Sequence, residues 1–141
     1  MFWKRCANTA CHVLSSVMER LWIARNGVNV ETITWDEFIK VELRVGKVIS
    51  AKSFPEARKP AYFLEVDFGE ELGIKKSSAQ ITKLYKREDL VGKQVIAVVN
   101  FPPKHIASFV SECLVLGVIA DNKEIVLLQP ERKVENGLRI A

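Results

Sequence analysis

The side chains best placed by type and spacing to do chemistry lie between Val95 and Gly117, in VIAVVNFPPKHIASFVSECLVLG. Asn100, Lys104, His105, Ser108, Ser111 and Glu112 offer donors, acceptors and charge, while Phe101, Ile106 and Phe109 offer apolar contact. Pro102 and Pro103 fix their own φ angles and push the residues before them toward extended backbone, so this link between two apolar runs should hold one shape. A rigid connection between core strands is where a fold presents contacts. The chemistry on offer is recognition: amide, hydroxyl and ammonium groups for a polar ligand, rings for stacking or apolar burial. The same residues also fit a proline-bent connection with two half-buried phenylalanines.

Catalysis finds little support in the spacing. Gly46-Lys47 and Gly92-Lys93 resemble parts of a phosphate loop, yet neither has the earlier glycine or the following Ser/Thr that would cradle phosphate and magnesium. Asp67, Glu70 and Glu71 are explained by a turn between strands, and no partner acid stands beside them. His105 has no nucleophile next to it, and Cys113 opens an apolar strand, where a cysteine behaves as a small hydrophobe. Cys6, Cys11 and His12 could be three zinc ligands, but no second cluster completes a tetrahedral site. The expectation is no enzyme, no metal and no cofactor. Three cysteines without a C-x-x-C pair argue against a disulfide framework and for a reducing, cytoplasmic setting.

The 141 residues are enough for one domain with a core of its own. No run of eighteen uncharged apolar residues is present, so no membrane span is expected. The net charge is +4, but residues 33–141 hold 17 basic and 15 acidic side chains, so any footprint for a polyanion must be a local patch.

Elements that could position these groups follow from periodicity. Residues 1–32 stand apart as an N-terminal extension, since some thirty residues cannot enclose a core. Thr9 can cap an amphipathic helix carrying Val13, Leu14, Val17, Met18, Leu21 and Trp22 on one side, closed by Asn26-Gly27. This segment also resembles an organellar transit peptide, or an upstream extension with natural translation starting at Met18. The main domain, residues 33–141, opens on a capping-box spacing at Thr34-Trp35-Asp36-Glu37 and a short helix to Lys40. Trp35, Phe38 and Ile39 are many large apolar groups for so short a helix; they must close a barrel or meet a partner subunit.

From Glu42 the period changes to two. Leu43, Val45 and Val48 are inward candidates, with a β-bulge or sharp bend expected at Gly46. Residues 56–60 read as a polar loop, Tyr62 to Phe68 as a half-buried strand, and Ile74 to Ala79 as a third strand with a basic, hydroxyl-rich outer edge. One or two helical turns fit Lys86 to Leu90. A strand follows Gly92-Lys93, and a hairpin spans residues 118–128. Five short strands, a strongly bent first one, and a small helix between the third and fourth give an all-β fold: a five-stranded OB-fold, or Greek-key, barrel.

Several strings add a resemblance. Leu43-Arg44-Val45-Gly46-Lys47-Val48, FPEARKPAY (54–62), KKSSAQIT (75–82) with Tyr85, NFPPK (100–104) and Ser111-Glu112 strongly resemble the tRNA-binding domain family, and three of these strings are most similar to its CsaA branch of secretion-related chaperones. The resemblance runs through residues 33–141 and leaves 1–32 outside it. It implies an OB-fold homodimer that binds tRNA by shape, with Asn100, Lys104, Ser111 and Glu112 on the binding face. Where relatives place a lysine within an Asn-Leu-Lys-Pro string, this chain has Phe101-Pro102-Pro103 after Asn100, exchanging charge for apolar surface and suiting a role toward unfolded or preprotein polypeptides.

Two sets of contacts follow. For RNA, Lys75, Lys76, Lys83, Lys104 and Lys59 can neutralise phosphates, and Ser77, Ser78, Gln80 and Asn100 can hydrogen-bond to sugars and base edges. For peptides, Phe54, Phe101, Pro102, Ile106 and Phe109 can form an apolar groove. Trp35, Phe38 and Ile39 are the expected dimer contact. The alternative role is a tRNA-binding appendage or subunit that brings tRNA to an aminoacyl-tRNA synthetase.

Overall fold

A computed structural model describes residues 30–56, 59–106 and 108–141. The expected helix over residues 9–27, the candidate ligands Cys6, Cys11 and His12, and Ala57-Arg58 of the polar loop lie outside the described residues. Trp35–Ala141 forms one compact unit. Within it the elements run α1 (Trp35–Phe38), β1 (Leu43–Ser53), β2 (Tyr62–Asp67), α2 (Gly69–Leu72), β3 (Ile74–Ala79), α3 (Arg87–Leu90), β4 (Gln94–Val98), β5 (Lys104–Ile106), β6 (Phe109–Ser111), β7 (Leu114–Val115), β8 (Gly117–Ile119) and β9 (Ile125–Leu127).

The strands form an antiparallel sheet in the order β3-β2-β1-β4-β7, plus the hairpins β5-β6 and β8-β9. The sheet curls until its two edges meet. Glu112 N donates to Lys76 O at 2.8 Å, the Glu112 carboxylate accepts from Lys76 N at 3.0 Å, and Ser77 Oγ donates to Cys113 O at 3.0 Å. The result is a nearly closed five-stranded barrel with small helices, as the OB pattern led one to expect.

The interior is filled by Val48, Leu64, Val66, Phe68, Ile81, Leu90, Val95 and Ala97, each essentially without exposure. Gly46 lies among them in regular register opposite Val95. A Cβ there would come within 2.5 Å of Val66 and 2.6 Å of the Phe68 ring, so the glycine makes room for the ring. The expected bulge at Gly46 is therefore not found there; the register shifts between Val48 and Ser50. Val45 is buried on the opposite face from Gly46, and its backbone pairs with the chain at residues 137–138.

That covering segment is the fold's least anticipated part. Val45 N donates to Leu138 O (3.0 Å), Gly137 N to Val45 O (2.7 Å) and Ile140 N to Leu43 O (2.9 Å), making a strap along the free edge of β1. Gln94 holds it at Val134 and Asn136, Asn136 reaches Asp67 at 3.0 Å, and Arg44 donates to Gly137 O at 2.8 Å. Gly137 sits at φ +90 with Phe68 O against the place a Cβ would occupy, so only glycine fits without strain. The link between β4 and β7, expected to be a stiff, proline-bent loop, contains the hairpin β5-β6, because Phe109 and Ile106 can bury themselves against Phe54, Ala61 and Phe63.

Candidate nucleic-acid interface

Strand register sorts the candidate residues by face. Residues paired across an antiparallel sheet share a side. Leu64 opposite Ser77 and Val66 opposite Lys75 belong to the inward row; Phe63 opposite Ser78 and Glu65 opposite Lys76 belong to the outward row. Lys76 and Ser78 therefore face away from the core, next to Lys52, which pairs with Phe63. Ser77 is a correction to the expected outer edge: it is buried and spends its hydroxyl on Cys113. Lys75 is a correction as well, since it stands on the inward row near Cys113 at the closure. Gln80 is exposed just past the end of β3.

Two residues expected at the interface hold the fold together. Asn100 Oδ1 accepts from Glu42 N at 3.0 Å and its Nδ2 donates to Lys40 O at 2.6 Å, fastening the end of β4 to the chain after α1. One Nδ2 hydrogen and one oxygen lone pair remain for a ligand. Glu112 closes the barrel through its carboxylate as well as its backbone. Ser111 donates to Cys113 O at 3.2 Å. Lys104, opposite Ser111 in the hairpin, is exposed, and its ammonium makes no hydrogen bond or ion pair within the described residues.

A groove of about 560 Å³ runs beside this rim. Phe101, Pro102, Pro103 and Leu114 give it apolar wall, and Lys104, His105, Ser111 and Glu112 give it polar wall. Phe101 is 53% exposed. Ile106 and Phe109, expected in the same groove, are elsewhere. Phe109 is buried, its ring 4.6 Å from that of Phe63 and 5.7 Å from that of Phe54, both edge-on. This second cluster fastens the hairpin to the loop after β1, helped by the hydrogen bond from Ser108 to Glu56. The expected peptide set thus divides, with Phe101 and Pro102 in the groove and Ile106 and Phe109 beneath the hairpin.

An OB barrel offers its β2-β3 face and the loops beside it to oligonucleotides, and here that face carries Lys52, Lys76 and Ser78. A family model described as "Putative tRNA binding domain" matches residues 43–139. The chain belongs to the tRNA-binding domain family. Among solved structures, this tRNA-binding domain is similar to the chaperone CsaA of Bacillus anthracis, with 52% identity and TM-score 0.75, covering 79% of this chain and all of that one. It is similar also to the CsaA chaperone protein of Picrophilus torridus, with 50% identity and TM-score 0.74, covering 78% and 100%. The methionine–tRNA ligase of Thermococcus kodakarensis is 34% identical over 116 residues, 82% of this chain. The chain spans only about 15% of the length of that curated relative.

Within the tRNA-binding domain, Lys52 is a face residue that reasoning from sequence passed over. Its signal was the period-two alternation of Ser50 and Lys52. Cys113 lies at the barrel closure with its thiol pushed up to about 11, chiefly because burial disfavours the thiolate, with the Ser77 hydrogen bond and Lys75 opposing weakly. It is held as a thiol at neutral pH and is a poor nucleophile there. Among the described residues no group of three His, Cys, Asp or Glu side chains could hold a metal ion, and no helix is long and apolar enough to cross a membrane.

Trp35 of α1 and Ile39 just after it are 67% and 42% exposed, and the Trp35 and Phe38 rings lie 5.5 Å apart. They do not close the barrel, which leaves them as uncovered apolar surface.

Proposed function

We propose that this protein is a cytoplasmic, non-catalytic tRNA-binding protein of CsaA type that reads tRNA by shape and phosphate position and also holds unfolded polypeptide. The observation that carries the reading is the rim at Lys104, where a cation whose ammonium has no partner among the described residues stands beside the apolar wall of the groove, with Lys76 outward on β3. Lysines placed on a rigid barrel match phosphate spacing without reading bases, which gives binding indifferent to sequence. Phe101 and Pro102 supply the apolar wall that an extended polypeptide would cover.

Polypeptide binding is tested by suppression of aggregation of an unfolded substrate, with tRNA binding measured on the same samples. Phe101→Ser should abolish most of the suppression and leave tRNA affinity within about twofold, since Phe101 carries no charge and a surface change of this kind costs little stability. Equal loss of both activities would refute separate walls. The exposed Trp35-Ile39 surface supports a two-fold contact between copies, in which one patch meets its own mate. Light scattering should give the mass of two chains at micromolar concentration, and a monomer there would remove the dimer from the proposal.

A second reading has one observation in its favour. The ligase relatives carry a matching region within a much longer chain, which fits a module that delivers tRNA to an aminoacyl-tRNA synthetase. Co-purification of such a ligase with this protein, lost when Trp35 is changed to Ser, would favour delivery over free-standing binding.

A further inference from the structure

At the far end of β1 from α1, a shallow pocket of about 340 Å³ is lined by Ser53, Phe54, Pro55, Pro60, Ala61, Tyr62 and Thr82. Three separate stretches of chain meet there, and two of them carry an exposed lysine next to a lining residue: Lys59 before Pro60, and Lys83 after Thr82, whose ammonium also donates to Asn122 O at 3.1 Å. The loop that forms one wall is tied at its base. Phe54 N donates to Ala61 O at 3.1 Å, which closes the base of the loop, and Pro55 and Pro60 lie just inside that bond on either side. The pocket floor is fixed by Tyr62, whose hydroxyl donates to Tyr85 O at 3.1 Å, and by the Phe54 ring packed on Phe109.

The hydroxyls of Ser53 and Thr82 line this pocket and make no hydrogen bond within the described residues. Flat proline and ring surface, two free hydroxyls and a cationic margin together describe a ligand with a planar apolar part, hydrogen-bonding edges and negative charge. A nucleotide has all three. Resting on the tRNA-binding reading above, we propose that this pocket takes one unstacked nucleotide of the bound RNA, its base against Pro55, Pro60 and Tyr62, its edge on Ser53 and Thr82, and a flanking phosphate on Lys59. Base-on-ring contacts of this kind tolerate any base, which agrees with recognition that is blind to sequence.

The experiment fills the pocket. Ser53→Phe places a ring where the base would lie, at an exposed strand-end position, and Thr82→Phe does so from the opposite wall; either one reports if the other fails to fold. Wild-type and variant full chains are titrated with tRNA, with a blunt RNA duplex of similar length, and with a nucleoside monophosphate. The expected result is a fall of roughly fivefold to a hundredfold in tRNA affinity, the range that one stacked base is worth, with duplex affinity unchanged. Unaltered tRNA affinity in a folded variant overturns the proposal. Monophosphate binding lost in the variant while tRNA binding persists also overturns it, and assigns the pocket to a free nucleotide. Failure of the wild type to bind tRNA at all would sink the functional reading instead, so the two outcomes are distinct.

Discussion

Between 50 and 200 mM salt, tRNA affinity should fall about a hundredfold. The estimate follows from counterion release: each lysine that meets a phosphate contributes a slope of about −0.9 in log affinity against log salt on the duplex scale. Lys52, Lys59, Lys76 and Lys104 stand outward around the β2-β3 face, the loop after β1 and the groove. Four such contacts give a slope of roughly −3 to −4. Lys75, on the inward row, is not counted. Lys104→Ala should weaken binding to all tRNAs alike and flatten the slope by about one unit. A slope near zero would exclude phosphate contacts as the source of affinity. A Lys104→Ala effect confined to one tRNA would show base reading in place of shape.

Phe68→Ala should cost about 3–5 kcal/mol, the usual loss for an aromatic ring removed from a fully buried site. Among the described residues Phe68 is the largest side chain with no exposure, and its ring lies where a Cβ on Gly46 would point. Its backbone oxygen also backs onto Gly137, so the ring and the strap depend on one another. For a domain of this size a loss of that order lowers the melting temperature by about 10–25 °C. Calorimetry measures it. A shift of under five degrees would mean that the barrel collapses readily into the vacated space. Gly46→Ala, which forces a methyl against the same ring, should destabilise by about 1–3 kcal/mol in the wild type and by less in a Phe68→Leu background, where the ring is gone.

The barrel and the family were legible because their signals are local. The alternation of Tyr62, Leu64, Val66 and Phe68, the glycines around α2, and the NFPPK and KKSSAQIT strings lie within a few residues of one another. What escaped was set by partners far along the chain. Asn100 looks like a ligand donor until Glu42 and Lys40, some sixty residues earlier, are found on its amide. Glu112 reads as a rim acid until Lys76 N is found on its carboxylate. Gly46 looked like a bend because a glycine in a strand often marks one, but the cause is the Phe68 ring, twenty-two positions on. Phe109 and Ile106 belonged to the right loop and the wrong side of it, because pairing in β5-β6 decides which way each side chain turns.

The strap over β1 bears on how the chain matures. Val45 and its partner Leu138 are ninety-three positions apart. At a ribosomal pace of about 5–20 residues per second, the first strand emerges roughly five to twenty seconds before its cover does. During that interval its backbone donors and acceptors are open to any extended segment nearby. A nascent copy is therefore itself a client for a holding protein, and neighbouring copies on one messenger are the segments closest to hand.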